Sequence, residues 1–363
     1  MCLYLNTYQS QRRRRLRDTH GGTFDATMGA VRRIDGFVRY ALAVQYNGAS
    51  FFGFVRQPRQ KATMASNVVA TNAHCALPTV EGCIRGALSN LVGDENFENL
   101  QVSSRTDRGV HAIKNTMHVD VRPRNGNADP WDARILHRGI NHFLIQQGMR
   151  ESEASMNQTR ILAVRNAPLR MKNIFYNGTE QNGPEEIDWC ARFSATSRTY
   201  VYRIIQTDNT FAAPFEWDRS WRIENEKALD VDAMDQAARY LIGTHDVSSF
   251  RGPSCVRASP IAIMNHISVT SHPYGFAGMF DTVLAPSSYE NNQQLILVKI
   301  SGKSFVYRQV RNIVGCLVEV GRGTLDPADV EEILQTRSRS AAPTMAPAPG
   351  LFLVDVEHGD FKL

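Results

Sequence analysis

The spacing of apolar residues along this chain switches repeatedly between two and about three and a half, and that switch limits the folds open to it. In "VRYALAVQY" Val38, Tyr40, Leu42, Val44 and Tyr46 alternate with Arg39, Ala41, Ala43 and Gln45, a period of two that predicts a strand. "NGAS" breaks the run. After Thr79, which suits an N-cap, Val80, Ile84, Leu88 and Leu91 fall on one helical face. "NTMHVDV" alternates again as a strand, and Trp131, Ile135, Ile140 and Leu144 suggest a second helix.

The later part repeats the theme. "RTYVYRII" reads as a strand with Tyr200, Tyr202 and Ile204 on one side, and a helix follows Asp232 with Met234, Ala238 and Leu241 inward. "ISVT" and "QLILVKI" read as strands. Val306, Val310, Ile313, Leu317 and Val320 then line one helical face, with Gly321 as C-cap. Asp326 and Pro327 open a further helix as N-cap and first residue, "SAAPTMAPAPG" is a loop, and "LFLVDV" closes as a strand. Strands and helices mix without the regular alternation of a doubly wound sheet, so the expected class is α+β with two related halves. Polar stretches near 148–160 and 174–188 read as surface insertions at the boundary between them. The expected organisation is a basic extension over residues 1–36, an N-terminal half over 37–165 and a C-terminal half over 166–363.

Composition narrows the class. The chain has 363 residues, 42% of them hydrophobic, enough for a substantial core. No apolar run is long enough to cross a bilayer, which argues against a membrane partner. The six cysteines are scattered with no CxxC pair, so neither a zinc module nor a disulfide framework is suggested. Residues 1–40 hold eight arginines against three aspartates, which accounts for the whole net charge of +5. Any phosphate-binding surface in the body must therefore come from clustering. The run "QRRRRLR" fits an organelle transit peptide, a nuclear signal, a phosphate-binding arm or a disordered tail. Localisation is left open among cytoplasm, nucleus and organelle.

The stretch "SSRTDRGVHA" poses the chemical question. It sets Asp107 between Arg105 and Arg108, with Gly109 following. Alone, Asp-x-Gly reads most often as a surface turn. A desolvated, aimed carboxylate can instead be a nucleophile, and a nearby arginine favours its charged form. On an extended segment Arg105 would point to the same side as Asp107, as an ion-pair partner or a phosphate ligand. Tyr200 and Tyr202 read as core, or as a platform for an unstacked base. Arg311, beside an apolar helix face, would reach solvent or pair with a buried carboxylate, for which Asp107 is a candidate. His111, His118 and Asp120 offer too few ligands for a metal, and the structural reading is preferred. Nothing reads as a P-loop or dinucleotide fingerprint, so no cofactor is expected.

Taken together, "RYALAVQYNGASFFGF", "SSRTDRGVHA", "ARFSATSRTYVYRI", "LIGTHDVSSFR", "SFVYRQVRNIVGCLVEVGRG" and "GLFLVDV" resemble, in order, the motifs of the TruA-type tRNA pseudouridine synthases. The resemblance covers roughly residues 37 to 356. It implies two α/β halves joined in one long, mostly antiparallel central sheet, with flanking helices and an active-site cleft between the halves. It implies Asp107, Tyr200 and Arg311 as catalytic residues: the carboxylate, the ring that packs on the target uracil, and the carboxylate's partner. It implies RNA contact by Arg105, and Arg108, His111 and Tyr202 join it as substrate-binding candidates. The implied reaction converts uridine to pseudouridine in tRNA, in the anticodon arm by family default, without metal or cofactor, by a homodimer or a monomer. A member acting on mRNA, an inactive RNA-binding relative and a hydrolase using Asp107 are the rivals. Ser104, Arg108, Phe54 and Asn47 depart from the usual Gly, small residue, Trp and Asp, which bears on substrate choice.

Overall fold

In the computed structural model the described residues are 33–55, 78–124, 129–150, 158–169, 171–172, 186–207, 216–224, 227–273 and 294–363. The basic run and most of both polar insertions lie outside them. The class is α+β, with a large, mostly antiparallel sheet that does not close. The strands are β1 (Val38–Tyr46), β2 (Phe97–Val102), β3 (His111–Val121), β4 (Thr159–Asn166), β5 (Met171–Lys172), β6 (Glu186–Ile187), β7 (Ser197–Thr207), β8 (Trp221–Glu224), β9 (Gly243–Asp246), β10 (Ile261–Pro273), β11 (Gln294–Gly302) and β12 (Leu351–Glu357). The helices are α1 (Val80–Val92), α2 (Ala133–Arg150), α3 (Val231–Arg239), α4 (Gln309–Gly321) and α5 (Asp329–Thr336). No helix among the described residues is long and apolar enough to cross a membrane.

The main sheet runs β4-β1-β3-β12-β7-β11-β10-β9, with β2 beside β3, β8 beside β7, and β5 and β6 paired apart. β12 is the joint. It meets β3 in parallel through Phe352 and Leu353, opposite His111 and Ala112, and runs antiparallel to β7 from Leu351 to Glu357. One continuous core then extends from Leu42, Ile84 and Leu88 in the first part to Ile296, Ile313 and Leu317 in the second. The entry to β12 is tight. A Cβ on Gly350 would lie 2.7 Å from the Arg203 carbonyl oxygen and closer still to the Tyr202 ring.

Several elements differ from the sequence reading for physical reasons. β2 escapes it because Asn99, at φ 52°, bulges the strand and breaks the period of two. β4 begins inside the first polar stretch, at its last residues. In α2 the inward residues are Leu136, Ile140 and Leu144; Ile135 is exposed and Trp131 precedes the helix. Asp230, not Asp232, caps α3, accepting from the Ala233 N–H. α4 runs through Gly321, and the glycine with positive φ is Gly323. α5 starts at Asp329, after a turn closed by the Asp329 N–H on the Asp326 carbonyl.

β1 is buried on both faces. Arg39 stays inside because Asp120 of β3 accepts two bonds from its guanidinium, Nε at 2.6 Å and Nη2 at 2.8 Å, while Nη1 donates to the Trp189 carbonyl. His118 beside it accepts the Ala191 N–H through Nδ1. Asp120 is thus taken up by Arg39 and Asn99, and His118 Nδ1 by the Ala191 backbone. Trp189 packs against His358 and Phe361, so the C-terminal segment closes this second core.

Two measurements check this packing. Gly350→Ala should lower unfolding free energy by about 1–3 kcal/mol, because the new methyl has no room; urea denaturation at unchanged m-value would read it, and full stability would contradict the close approach. The second concerns pH. Burial pushes the His358 imidazole down to about 4, with the Arg198 charge adding to it, while its Nε2 bonds Thr116. An unfolded histidine titrates near 6.5, so below that pH the unfolded chain binds more protons and stability falls until pH nears the folded value. The loss between pH 6.5 and 4 should be on the order of 2–3 kcal/mol from this residue. His358→Gln should flatten that slope relative to wild type; parallel pH profiles would contradict it.

Candidate active site

Residues 103–110 leave β2 and enter β3, and their backbone is fastened from below. The Ser103 N–H donates to the Thr116 carbonyl. Asn115 Nδ2 donates to the Ser104 carbonyl at 2.8 Å and to the Tyr46 hydroxyl at 3.2 Å. The Tyr46 and Thr106 hydroxyls bond at 2.8 Å, and the Phe54 N–H donates to the Thr106 carbonyl. Burial pushes the Tyr46 phenol well up, so it stays a neutral hydroxyl in this network. With Ser104 and Thr106 held inside, the extended segment turns Arg105 outward and leaves Asp107 half-buried. The Val110 N–H then bonds the Asp107 carbonyl, closing a turn in which Gly109 takes φ 80°. The turn and the aimed carboxylate are one structure.

Arg311 meets Asp107 from α4, 204 residues away. Its Nη1 donates to Asp107 Oδ2 at 3.2 Å and its Nε to the Ala346 carbonyl at 2.8 Å, while the Ala346 N–H returns a bond to the Arg311 carbonyl. The side chains are 11% and 22% exposed, so the pair is largely shielded yet open at the carboxylate. Asp107 Oδ1 has no hydrogen-bond partner among the described residues.

Tyr200 of β7 lies between Ile300 of β11 and Leu353 of β12 in the sheet. Its ring meets Phe305 edge-on at 5.2 Å. Burial raises its phenol above the ordinary value, a bond with the Ser104 side chain opposes this, and the Asp107 charge adds to the rise. Tyr200 thus stays a neutral hydroxyl within the electrostatic reach of Asp107.

The structure brings Asp107, Arg311 and Tyr200 together and places Arg105 beside them, exposed. Arg108 is exposed and lies over Phe52. His111 and Tyr202 are committed to backbone partners, although the Tyr202 hydroxyl stays within electrostatic reach of Arg311. His111 is buried: its Nδ1 accepts the Gly48 N–H and its Nε2 donates to the Asp218 carbonyl, the neutral form that burial also favours. Tyr202 is buried in the core and donates to the Pro347 carbonyl. Both hold backbone segments together.

Arg198 is the supporting residue that the sequence reading missed. Its buried guanidinium donates to the carbonyls of Ala195, Lys303 and Arg192 and to Ser103 Oγ, tying the Asp107 loop to β7 and to the segment entering α4. Desolvation lowers it to about 10. The available signal was its period-two spacing from Tyr200. A second cationic feature lies at the surface. Desolvation and the neighbouring Arg105 charge both push the Arg192 guanidinium down, and neither arginine has a carboxylate partner among the described residues. Two unneutralised cations beside a carboxylate suit a ligand that brings anionic oxygens.

Comparison with known proteins fits this geometry. A family model described as tRNA pseudouridine synthase matches residues 237–358. The tRNA pseudouridine synthase A of Dinoroseobacter shibae is 31% identical over 322 residues, covering 88% of this chain and 96% of the relative. Those of Brucella ovis and Brucella melitensis are 29% identical over 320 residues, covering 88% of this chain and 98% of theirs. With identity sustained over nearly the whole of each relative, this chain belongs to the tRNA pseudouridine synthase A family.

Proposed function

We propose that the protein isomerises uridine to pseudouridine in tRNA, with Asp107 as the group that acts on the target nucleotide. The observation that carries this reading is the Asp107–Arg311 pair, with one carboxylate oxygen held and the other without a hydrogen-bond partner among the described residues. The reaction breaks the bond between uracil N1 and ribose C1′ and forms one between C5 and C1′. The C5 proton leaves and N1 gains a proton, so nothing is oxidised and no co-reactant is consumed.

Asp107 Oδ1 acts on the ribose, as a nucleophile or by removing a ribose proton. Arg311 fixes the carboxylate through Oδ2 and is itself fixed by Ala346. Tyr200, backed by Phe305, packs on the uracil while the ring turns. Arg105 and Arg192 take backbone phosphates, which their proximity and the lack of carboxylate partners among the described residues support. The target base must leave its stack, at a cost of a few kcal/mol, which favours loops and ends such as the anticodon arm. His111 and Tyr202 act on RNA only through the backbone segments they hold. The chain divides at about residue 165 into a half carrying Asp107 and a half carrying Tyr200 and Arg311.

Tritium at uracil C5 tests the chemistry directly, because isomerisation must release it. Wild type should release tritium from transcribed tRNA. Asp107→Asn should lower the rate about 10²–10⁴-fold, the range of a lost acid–base group. Arg311→Lys keeps the charge but not both bonds, and should fall between wild type and Arg311→Met. No release from any tRNA would sink the activity, and an active Asp107→Asn would sink its role.

Assembly as a homodimer belongs to the same reading. Ile261 and Ile263, two apart on β10, are exposed apolar side chains suited to a second copy. Light scattering should then give twice the chain mass, and a monomer at micromolar concentration would contradict it.

A further inference from the structure

In "FFGF" three aromatic side chains fall within four residues, and they part ways. Phe51 and Phe54 are fully buried, while Phe52 is 42% exposed. The backbone imposes this. Gly53 takes φ 96°, and a Cβ there would lie 3.0 Å from the Thr106 carbonyl oxygen and 3.3 Å from the Arg108 nitrogen. The turn is thus pressed against the Asp107 loop, and Phe52 is held at its rim.

Arg108, the residue after Asp107, lies over that ring with its guanidinium carbon 5.2 Å from the centroid. Arg108 is exposed and has no carboxylate partner among the described residues. Phe52 and Trp217 are the only aromatics among the large exposed apolar side chains described, and each has a guanidinium over its ring. Of the two, Phe52 is the one seated on the Asp107 loop. A phosphate contact would need only the arginine's charge. An arginine layered on an exposed ring offers in addition a flat cationic face, which is what an unstacked nucleobase takes.

We infer that Phe52 and Arg108 form a stacking subsite for a nucleobase neighbouring the target uridine, read by its face and so without regard to base identity. The inference rests on the proposed action on tRNA. When the target leaves the stack its neighbour loses a stacking partner, and the Arg108–Phe52 layer replaces it, one residue from the carboxylate that acts on the target.

The test is tRNA affinity as a function of salt, read on protein carrying Asp107→Asn. Phe52→Leu and Arg108→Lys should each weaken binding about fivefold to twentyfold, a fraction of the stacking energy of one base, without changing the slope of log Kd on log salt. Phe52→Tyr should bind as the parent does. Abasic residues placed in turn at each single-stranded nucleotide should include one position at which the parent weakens by that factor and Phe52→Leu weakens no further. Parent-like binding by Arg108→Lys, with Arg108→Ala lowering the salt slope by about one, would make Arg108 a phosphate contact and overturn the subsite. So would the absence of any such abasic position. Because these arms do not need turnover, they stand apart from the tritium assay, whose failure would overturn the activity alone.

Discussion

The geometry around Asp107 depends on β12 lying between β3 and β7. The residues that meet at Asp107 come from a loop ending in β3, from β7 and from α4. β12 spans the first two through a two-residue parallel contact with β3 and a longer antiparallel ladder with β7. The contact with β3 is at His111 and Ala112, immediately beyond the turn that aims Asp107. A shift of register there would move Asp107 relative to Tyr200 by a residue's rise, about 3.3 Å, more than a hydrogen bond tolerates. Gly350 and the Tyr202–Pro347 bond set that register from one side, and the His111 ring, stacked on Phe352 at 4.5 Å, sets it from the other.

Below this joint, buried polar groups do the positioning. Tyr46, Asn115 and Arg198 bond Thr106, Ser104 and Ser103 and so fix the segment that leads into Asp107. A buried donor left unpaired costs about 1–3 kcal/mol, so each of these bonds resists any displacement of the loop that would break it. Asp107 is consequently held by its own backbone as well as by Arg311, and its carboxylate is already oriented before any ligand arrives. Preorganisation of this kind suits an isomerisation, in which the base must turn while still bound and the protein supplies the fixed frame.

The legible parts of the fold were those in which one period rules one element. β1, β7 and α1 read true because their apolar residues keep strict spacing, and β12 because it is a short, nearly continuous apolar run. β2 was invisible because one left-handed asparagine splits it, and Asn99 earns its place by bonding Asp120. The burial of Arg39 was equally hidden, since its partner is 81 residues away and nothing local distinguishes it from a solvent-facing arginine. The same holds at the site. Local chemistry left Asp107 as a turn residue, and its partner lies 204 residues downstream. Order among distant motifs supplied what spacing could not. His111 shows the reverse case: its motif position suggested RNA, but a ring with both nitrogens bonded to backbone is occupied already.

The distribution of charge completes the picture. Beyond residue 40 the formal charges sum to zero, so the body has no general attraction for a polyanion. What it has is local imbalance. Carboxylates such as Asp120, Glu216 and Asp235 are engaged by arginines away from the Asp107 loop, while Arg105, Arg108 and Arg192 stand around that loop without carboxylate partners among the described residues. Arg311 is the arginine there that does hold a carboxylate, and it is the most shielded. A neutral body with a cationic rim binds RNA where the rim is rather than along its whole surface. That arrangement favours an encounter that delivers a flexible loop to Asp107 over one that coats the protein with duplex, because single-stranded nucleotides can present both a phosphate to Arg105 and an open base face to Arg108.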